Sequence, residues 1–246
     1  EDQYTYYKNI LEKMGKNREI TFRTLDIGND KLPSYFPKEE CDNSALGVRG
    51  IRFTLQHKEL FKKQLKALLK ASSLGKIKIM LPMINSIKEV VQTKTLIEQE
   101  KQNLISDGIE VSSNIKYGIM VETPAAVLSL ESFVKHIDFI SIGTNDLIQY
   151  LFAVDRNNEK VEEYYDNHHP ALINSLKIIY DFSKKFDVPV SLCGELNADI
   201  NVLPLLIGLG FRRFSLNPIL IPNIYKVISE MNSKKCKDIL YSHYKL

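Results

Sequence analysis

Two periodicities alternate along this chain, and that alternation limits its fold more than any other feature. Short, nearly unbroken apolar runs exchange with longer stretches whose apolar residues recur at helical spacing. The runs are ITFRTLDIG (20–28), IKIMLPM (77–83), IKYGIMVE (115–122), IDFISIGT (137–144), VPVSLCGE (188–195) and FRRFSLN (211–217). Between them lie helical patterns at 4–15, 57–73, 86–106, 171–185 and 222–233, with shorter ones after Thr123-Pro124, near Asn145 or Asp146, and after Asp199. In 57–73, Leu60, Leu65, Leu68 and Leu69 share one face. Such alternation predicts a parallel sheet joined by helical crossovers. Strands that are apolar throughout, rather than at every second residue, are strands covered on both faces.

Six strands are clear, and Ala45–Arg49 reads as a short seventh. No eighth is visible, so counting leaves barrel and open sheet both possible. The stretches 29–46, with Pro33 and Pro37, and 155–169 read as loops. A chain of 246 residues suits one α/β barrel, and we expect a single domain over 1–246.

The polar residues within this pattern point to a site. Arg23 and Asp26 fall late in the first strand, and Glu122 ends the third. Thr144, Asn145 and Asp146 end the fourth, and Cys193, Gly194 and Glu195 the fifth. Parallel α/β folds gather their active sites at the C-terminal ends of strands.

Glu122 and Asp146 are the metal candidates, because two carboxylates with water and substrate oxygens satisfy Mg²⁺. A carboxylate that merely favours a helix start is the alternative for Asp146. Arg23, Arg49 and Arg156 are candidates to grip an anion. For Arg23 the competing reading is a buried salt bridge to Asp26 or Asp30. Arg52 either substitutes for Arg49 or faces solvent. Cys193 is either a small buried hydrophobe or a proton donor on the active face. The histidines show no metal-ligand spacing.

Composition removes other classes. The net charge of +3 is too small to argue for nucleic acid or a membrane surface. No apolar run approaches the ~20 residues of a membrane span. The sparse, odd cysteine set Cys41, Cys193 and Cys236 makes no disulfide framework, so we expect a reducing, cytoplasmic setting. The N-terminus lacks the plan of a signal peptide and opens on a helical pattern without Met, as a piece of a longer or processed chain does.

Several runs resemble the C-terminal domain of enzyme I of the bacterial phosphoenolpyruvate-dependent sugar phosphotransferase system. They are FRTLDIGNDK (22–31), ALGVRGIRFTL (45–55), KIKIMLPM (76–83), GIMVETPAA (118–126), DFISIGTNDLIQYLFAVDRNNEKV (138–161) and SLCGEL (191–196). The same barrel serves pyruvate phosphate dikinase and phosphoenolpyruvate synthase, but the AVDRNN run is closer to enzyme I.

The resemblance implies a (β/α)8 TIM-type barrel and a Mg²⁺-dependent phosphoryl transfer from phosphoenolpyruvate that releases pyruvate. It implies Arg23, Arg49, Asn145, Asp146 and Arg156 on the substrate, Glu122 and Asp146 on the metal, and Cys193 as proton donor. It implies a homodimer whose phosphoryl group goes to a histidine on an N-terminal domain and then to a small histidine-containing phosphocarrier protein, the first step of sugar uptake. The motif of that accepting histidine does not occur in this chain, nor does the carrier-docking domain. The chain alone is therefore expected to bind without turning over. Alternatives are the dikinase or synthase domain and a non-catalytic phosphoenolpyruvate sensor. A further expectation is that Glu195 helps keep the Cys193 thiol protonated against the nearby cations.

Overall fold

The computed structural model describes residues 1–28, 43 and 45–246. The described residues form two compact units, Glu1–Ile119 and Met120–Leu246. Cys41, Asp30 and nearly all of the expected 29–46 loop lie outside the described residues.

In the first unit, helix α1 (Asp2–Met14) leads to strand β1 (Glu19–Arg23). Helices α2 (Ile51–Gln56) and α3 (Lys58–Ala71) follow, then β2 (Lys76–Leu81), α4 (Ile87–Ser106) and the start of β3 (Lys116–Val121). β1 pairs parallel with β2, and β2 with β3. The α3 face is buried through Phe61, Leu65, Leu68 and Leu69, whereas Leu60 is only half-buried. α4 starts cleanly because the Glu89 carboxylate turns back to accept the backbone N–H groups of Asn85 and Ser86, at 2.7 and 2.9 Å.

The second unit opens with the end of β3. It continues through α5 (Pro124–Leu128), β4 (Phe139–Gly143), α6 (Thr144–Phe152), α7 (Pro170–Phe186) and β5 (Val190–Cys193). It ends with α8 (Leu203–Leu209), α9 (Ile221–Ser229) and α10 (Ser233–His243). β4 and β5 are parallel, in the register Ile140–Val190, Ser141–Ser191, Ile142–Leu192 and Gly143–Cys193. β4 is buried at every position, as its continuous apolar run requires.

The fold is thus parallel α/β, as expected, but with fewer strands than the sequence suggested. Among the described residues five strands form. Ala45–Gly47 and Val48 make a turn and bend rather than a seventh strand. The run 211–217 contributes only an isolated parallel bridge, Phe214 to Leu192. The expected helix at 57–73 is α3, with the short α2 preceding it across His57, and 222–233 is not the last helix, since α10 follows it.

Candidate active site

In the second unit, each candidate side chain is set by a short local device. Glu122 follows the last residue of β3 and is fully buried, at 0% exposure. The turn after it is fixed: the Thr123 hydroxyl caps α5 by accepting the Ala126 N–H at 3.2 Å, and Pro124 occupies the first helical position. Space for the carboxylate comes from Gly143. A Cβ built there would collide with Glu122 Oε2 and stand 2.9 Å from Glu122 Cβ.

Gly143 ends β4 and leads directly into α6, whose first turn carries Thr144, Asn145 and Asp146. A carboxylate there meets the positive end of the helix dipole, and Asp146 is only 6% exposed. Arg156 Nη1 stands 3.9 Å from Asp146 Oδ1. The AVDR segment is aimed by a left-handed turn at Ala153 (φ 54°) and by buried Gln149, whose side-chain oxygen accepts the Arg156 N–H at 3.3 Å.

Cys193 ends β5. Its Sγ contacts the Ile142 carbonyl at 3.2 Å and accepts from the Ser141 hydroxyl at 3.5 Å. The following Gly194 has φ 111°, which only glycine adopts readily, and a Cβ there would clash with the Thr144 hydroxyl and lie 2.8 Å from Asn145 Oδ1. That close approach lets Thr144 donate to the Cys193 carbonyl at 2.9 Å, and the Glu195 N–H donate to Asn145 Oδ1 at 2.9 Å. The Asn145 oxygen is therefore engaged internally, and its amide N–H₂ is the end suited to an anion. Glu195 itself is exposed and meets the cluster through its backbone.

In the first unit, Arg49 forms a two-pronged pair with Asp26, with Nε to Oδ1 and Nη2 to Oδ2 both at 3.2 Å. Arg23 Nη1 approaches the same carboxylate at 3.6 Å. The Asp26 side chain is 5% exposed, Arg49 14% and Arg23 48%. The salt bridge to Asp26 envisaged for Arg23 therefore exists, but it is half-exposed on the arginine side rather than buried, and it joins two arginines rather than one. Gly50 (φ 57°) permits the approach, since a Cβ would lie 2.8 Å from the Met83 side chain and 3.1 Å from Asp26 Oδ1. Arg52 instead braces the 45–48 turn, donating to the Leu46 and Gly47 carbonyls at 3.4 and 3.3 Å.

Two contributors were missed from sequence. Tyr165, half-buried, donates to the Asn145 carbonyl at 3.4 Å. Burial pushes its phenol up to about 12; Arg156 pulls it down, while Glu195 and Asp146 add to the rise. The other is Ser141, 5% exposed, against the thiol. Tyr165 lies in a polar loop with no periodicity, whereas Ser141 was findable: it sits two residues before Gly143 and so shares a strand face with it. His169 is structural, capping α7 through Nδ1 at 3.0 Å and packing on Phe152.

Glu122 and Asp146 fit a hard cation. Both are oxygen donors, one seated in the gap left by Gly143 and one in the first turn of α6. Among the described residues no group of three or more His, Cys, Asp and Glu gathers as a closed site. Water and substrate oxygens would complete the shell, as Mg²⁺ sites commonly allow.

The chain is 41% identical over 239 residues to the phosphoenolpyruvate-protein phosphotransferase of Staphylococcus carnosus, covering 97% of this chain and 42% of that protein. It is 40% identical over 240 residues to the protein of the same name from Latilactobacillus sakei, and 41% over 237 residues to that of Mycoplasma capricolum. The chain thus spans about two-fifths of the length of these relatives. A solved citrate lyase from Burkholderia xenovorans shares the fold at TM-score 0.51 and 16% identity, over 74% of this chain and 58% of the lyase. Residues 1–233 match the family described as PEP-utilising enzyme, PEP-binding domain, and the chain belongs to that family.

Proposed function

We propose that this chain is the phosphoenolpyruvate-binding catalytic domain of a phosphoenolpyruvate-protein phosphotransferase. Supporting this is the placement of Glu122, Asn145, Asp146 and Cys193 at strand ends and a helix start of one unit, with Arg156 in the turn beyond α6 at 3.9 Å from Asp146, in a chain of the PEP-binding family. The phosphotransferase names of its relatives favour this over the dikinase reading.

Phosphoenolpyruvate carries a phosphate and a carboxylate on three carbons. Glu122 and Asp146 would hold Mg²⁺, which supplies charge neutralisation at the transferring phosphoryl group. Arg156 and the Asn145 amide would bind substrate oxygens; the family resemblance implies the same role for Arg23 and Arg49, whose charge is partly balanced by Asp26. Phosphoryl transfer to a histidine of another domain leaves negative charge on the enol oxygen, where these fixed donors act. Cys193 then gives its thiol proton to the methylene carbon, and pyruvate leaves. The phosphocarrier protein, sugar uptake and a homodimer belong to the same reading of the whole protein.

Calorimetry tests it directly. Phosphoenolpyruvate should bind this chain with Mg²⁺, weaken at least tenfold with EDTA, and weaken similarly in Glu122→Ala even with Mg²⁺. Affinity indifferent to both changes sinks the metal assignment, and no binding at all sinks the substrate.

A further inference from the structure

The thiol of Cys193 lies at the end of a line of hydroxyls. Ser191 Oγ donates to Ser141 Oγ at 3.2 Å, and Ser141 Oγ donates to Cys193 Sγ at 3.5 Å. Sγ in turn contacts the Ile142 carbonyl oxygen at 3.2 Å, where the S–H is the donor. Strand geometry explains the line. Side chains two apart on a strand share a face, and paired positions on adjacent strands stand side by side. Ser141 pairs with Ser191, and Gly143 with Cys193, so all four positions face the same way. Gly143 contributes no side chain, which leaves Ser141 as the β4 group beside the sulfur. Ser141 is buried, while Ser191, nearer the start of β5, is only partly so.

We infer that Ser141 and Ser191 form a hydroxyl relay that positions the Cys193 thiol and returns a proton to it after each turnover. Its consequence for turnover rests on the reading of Cys193 as proton donor. In the forward step the S–H bond breaks as a C–H bond forms at the methylene carbon, leaving a thiolate. The Ser141 O–H proton then moves to Sγ while the Ser191 proton moves to Ser141 Oγ. A water proton replaces that of Ser191, and the hydroxide passes to bulk buffer. Both serines end neutral and the thiol is restored. In the resting state the same bonds polarise one another and hold the S–H towards the Ile142 carbonyl. Ser141 is a positioning residue, because it acts through the sulfur.

Two readouts test this on the full chain. The first needs no substrate: the infrared S–H stretching band of Cys193, identified by its loss in Cys193→Ala. Ser141→Ala should move that band to higher frequency, as the hydrogen bonding weakens, and Ser141→Thr should restore it. An unmoved band overturns the relay. The second is deuterium exchange into the pyruvate methyl group in D₂O with Mg²⁺, the proton step run backwards. Ser141→Ala should slow exchange at least tenfold, within the range positioned proton transfers command. Pyruvate affinity should stay unchanged, Ser191→Ala should give a smaller loss, and Ser141→Thr should rescue. A shifted band with undiminished exchange overturns the proton-return role. If wild-type chain shows no exchange, the donor reading of Cys193 fails, and the band alone then decides the relay.

Discussion

The two units hold their candidate groups by different means. In the first, Arg23 and Arg49 converge on one nearly buried carboxylate, Asp26, so their direction is set by ion pairing. In the second, Glu122, Asn145, Asp146 and Cys193 are set by backbone: strand ends, a helix first turn, and glycines that admit close approach. An ion-paired arginine is oriented but has part of its charge already balanced. A carboxylate seated by backbone packing tolerates no added volume. The first arrangement should respond to a lost charge and the second to an added methyl.

Substitutions at each place test that contrast. Asp26→Ala should have the largest effect on stability. It leaves Arg49 largely buried and without the carboxylate that holds it, at a cost of about 3 kcal/mol, and urea unfolding would read it. A loss below ~1 kcal/mol would show that Asp26 does not organise the arginines.

Gly143→Ala comes next. The new methyl displaces the Glu122 carboxylate, and overpacking of this kind costs ~1–3 kcal/mol. Its sharper signature is a loss of the Mg²⁺-dependent part of phosphoenolpyruvate binding that exceeds the loss of Mg²⁺-free binding. Equal losses would mean that Glu122 is held elsewhere.

The smallest effect belongs to Glu19, at the start of β1. Lys116 at 2.7 Å and Lys78 at 2.6 Å hydrogen-bond its carboxylate and lower its pKa from the ordinary 4.5 to about 2. A depressed carboxylate stabilises the fold above its unfolded pKa, and that stability is lost as pH falls from about 4.5 towards 2. Its side chain is 41% exposed, so Glu19→Gln should cost no more than ~1 kcal/mol at neutral pH. The difference from wild type should vanish near pH 2 in unfolding curves. A constant difference across pH would assign the effect to packing.

Much of the site was legible in the sequence because strand ends are legible. Glu122, Asp146 and Cys193 close apolar runs, and the runs ended within a residue or two of the observed strands. The glycines beside them, Gly143 and Gly194, could be read only as punctuation, since the atoms that need the space come from other segments. Ion-pair sharing was half visible: Arg23 with Asp26 follows from spacing, but the dominant partner Arg49 lies 23 residues on. The false strand at 45–49 was an apolar fragment too short to tell from a turn. The 211–217 run shrank to one bridge, because two arginines and an asparagine give it little apolar surface to bury on both faces.

We propose that Cys193 exchanges a proton with the three-carbon substrate in a Mg²⁺-assisted site. Proton NMR of the pyruvate methyl signal in D₂O, with the chain and Mg²⁺, measures this most directly. Enzyme-dependent deuteration should stop with EDTA and be abolished in Cys193→Ala, while pyruvate affinity in that variant persists. Deuteration by Cys193→Ala at the wild-type rate would contradict it.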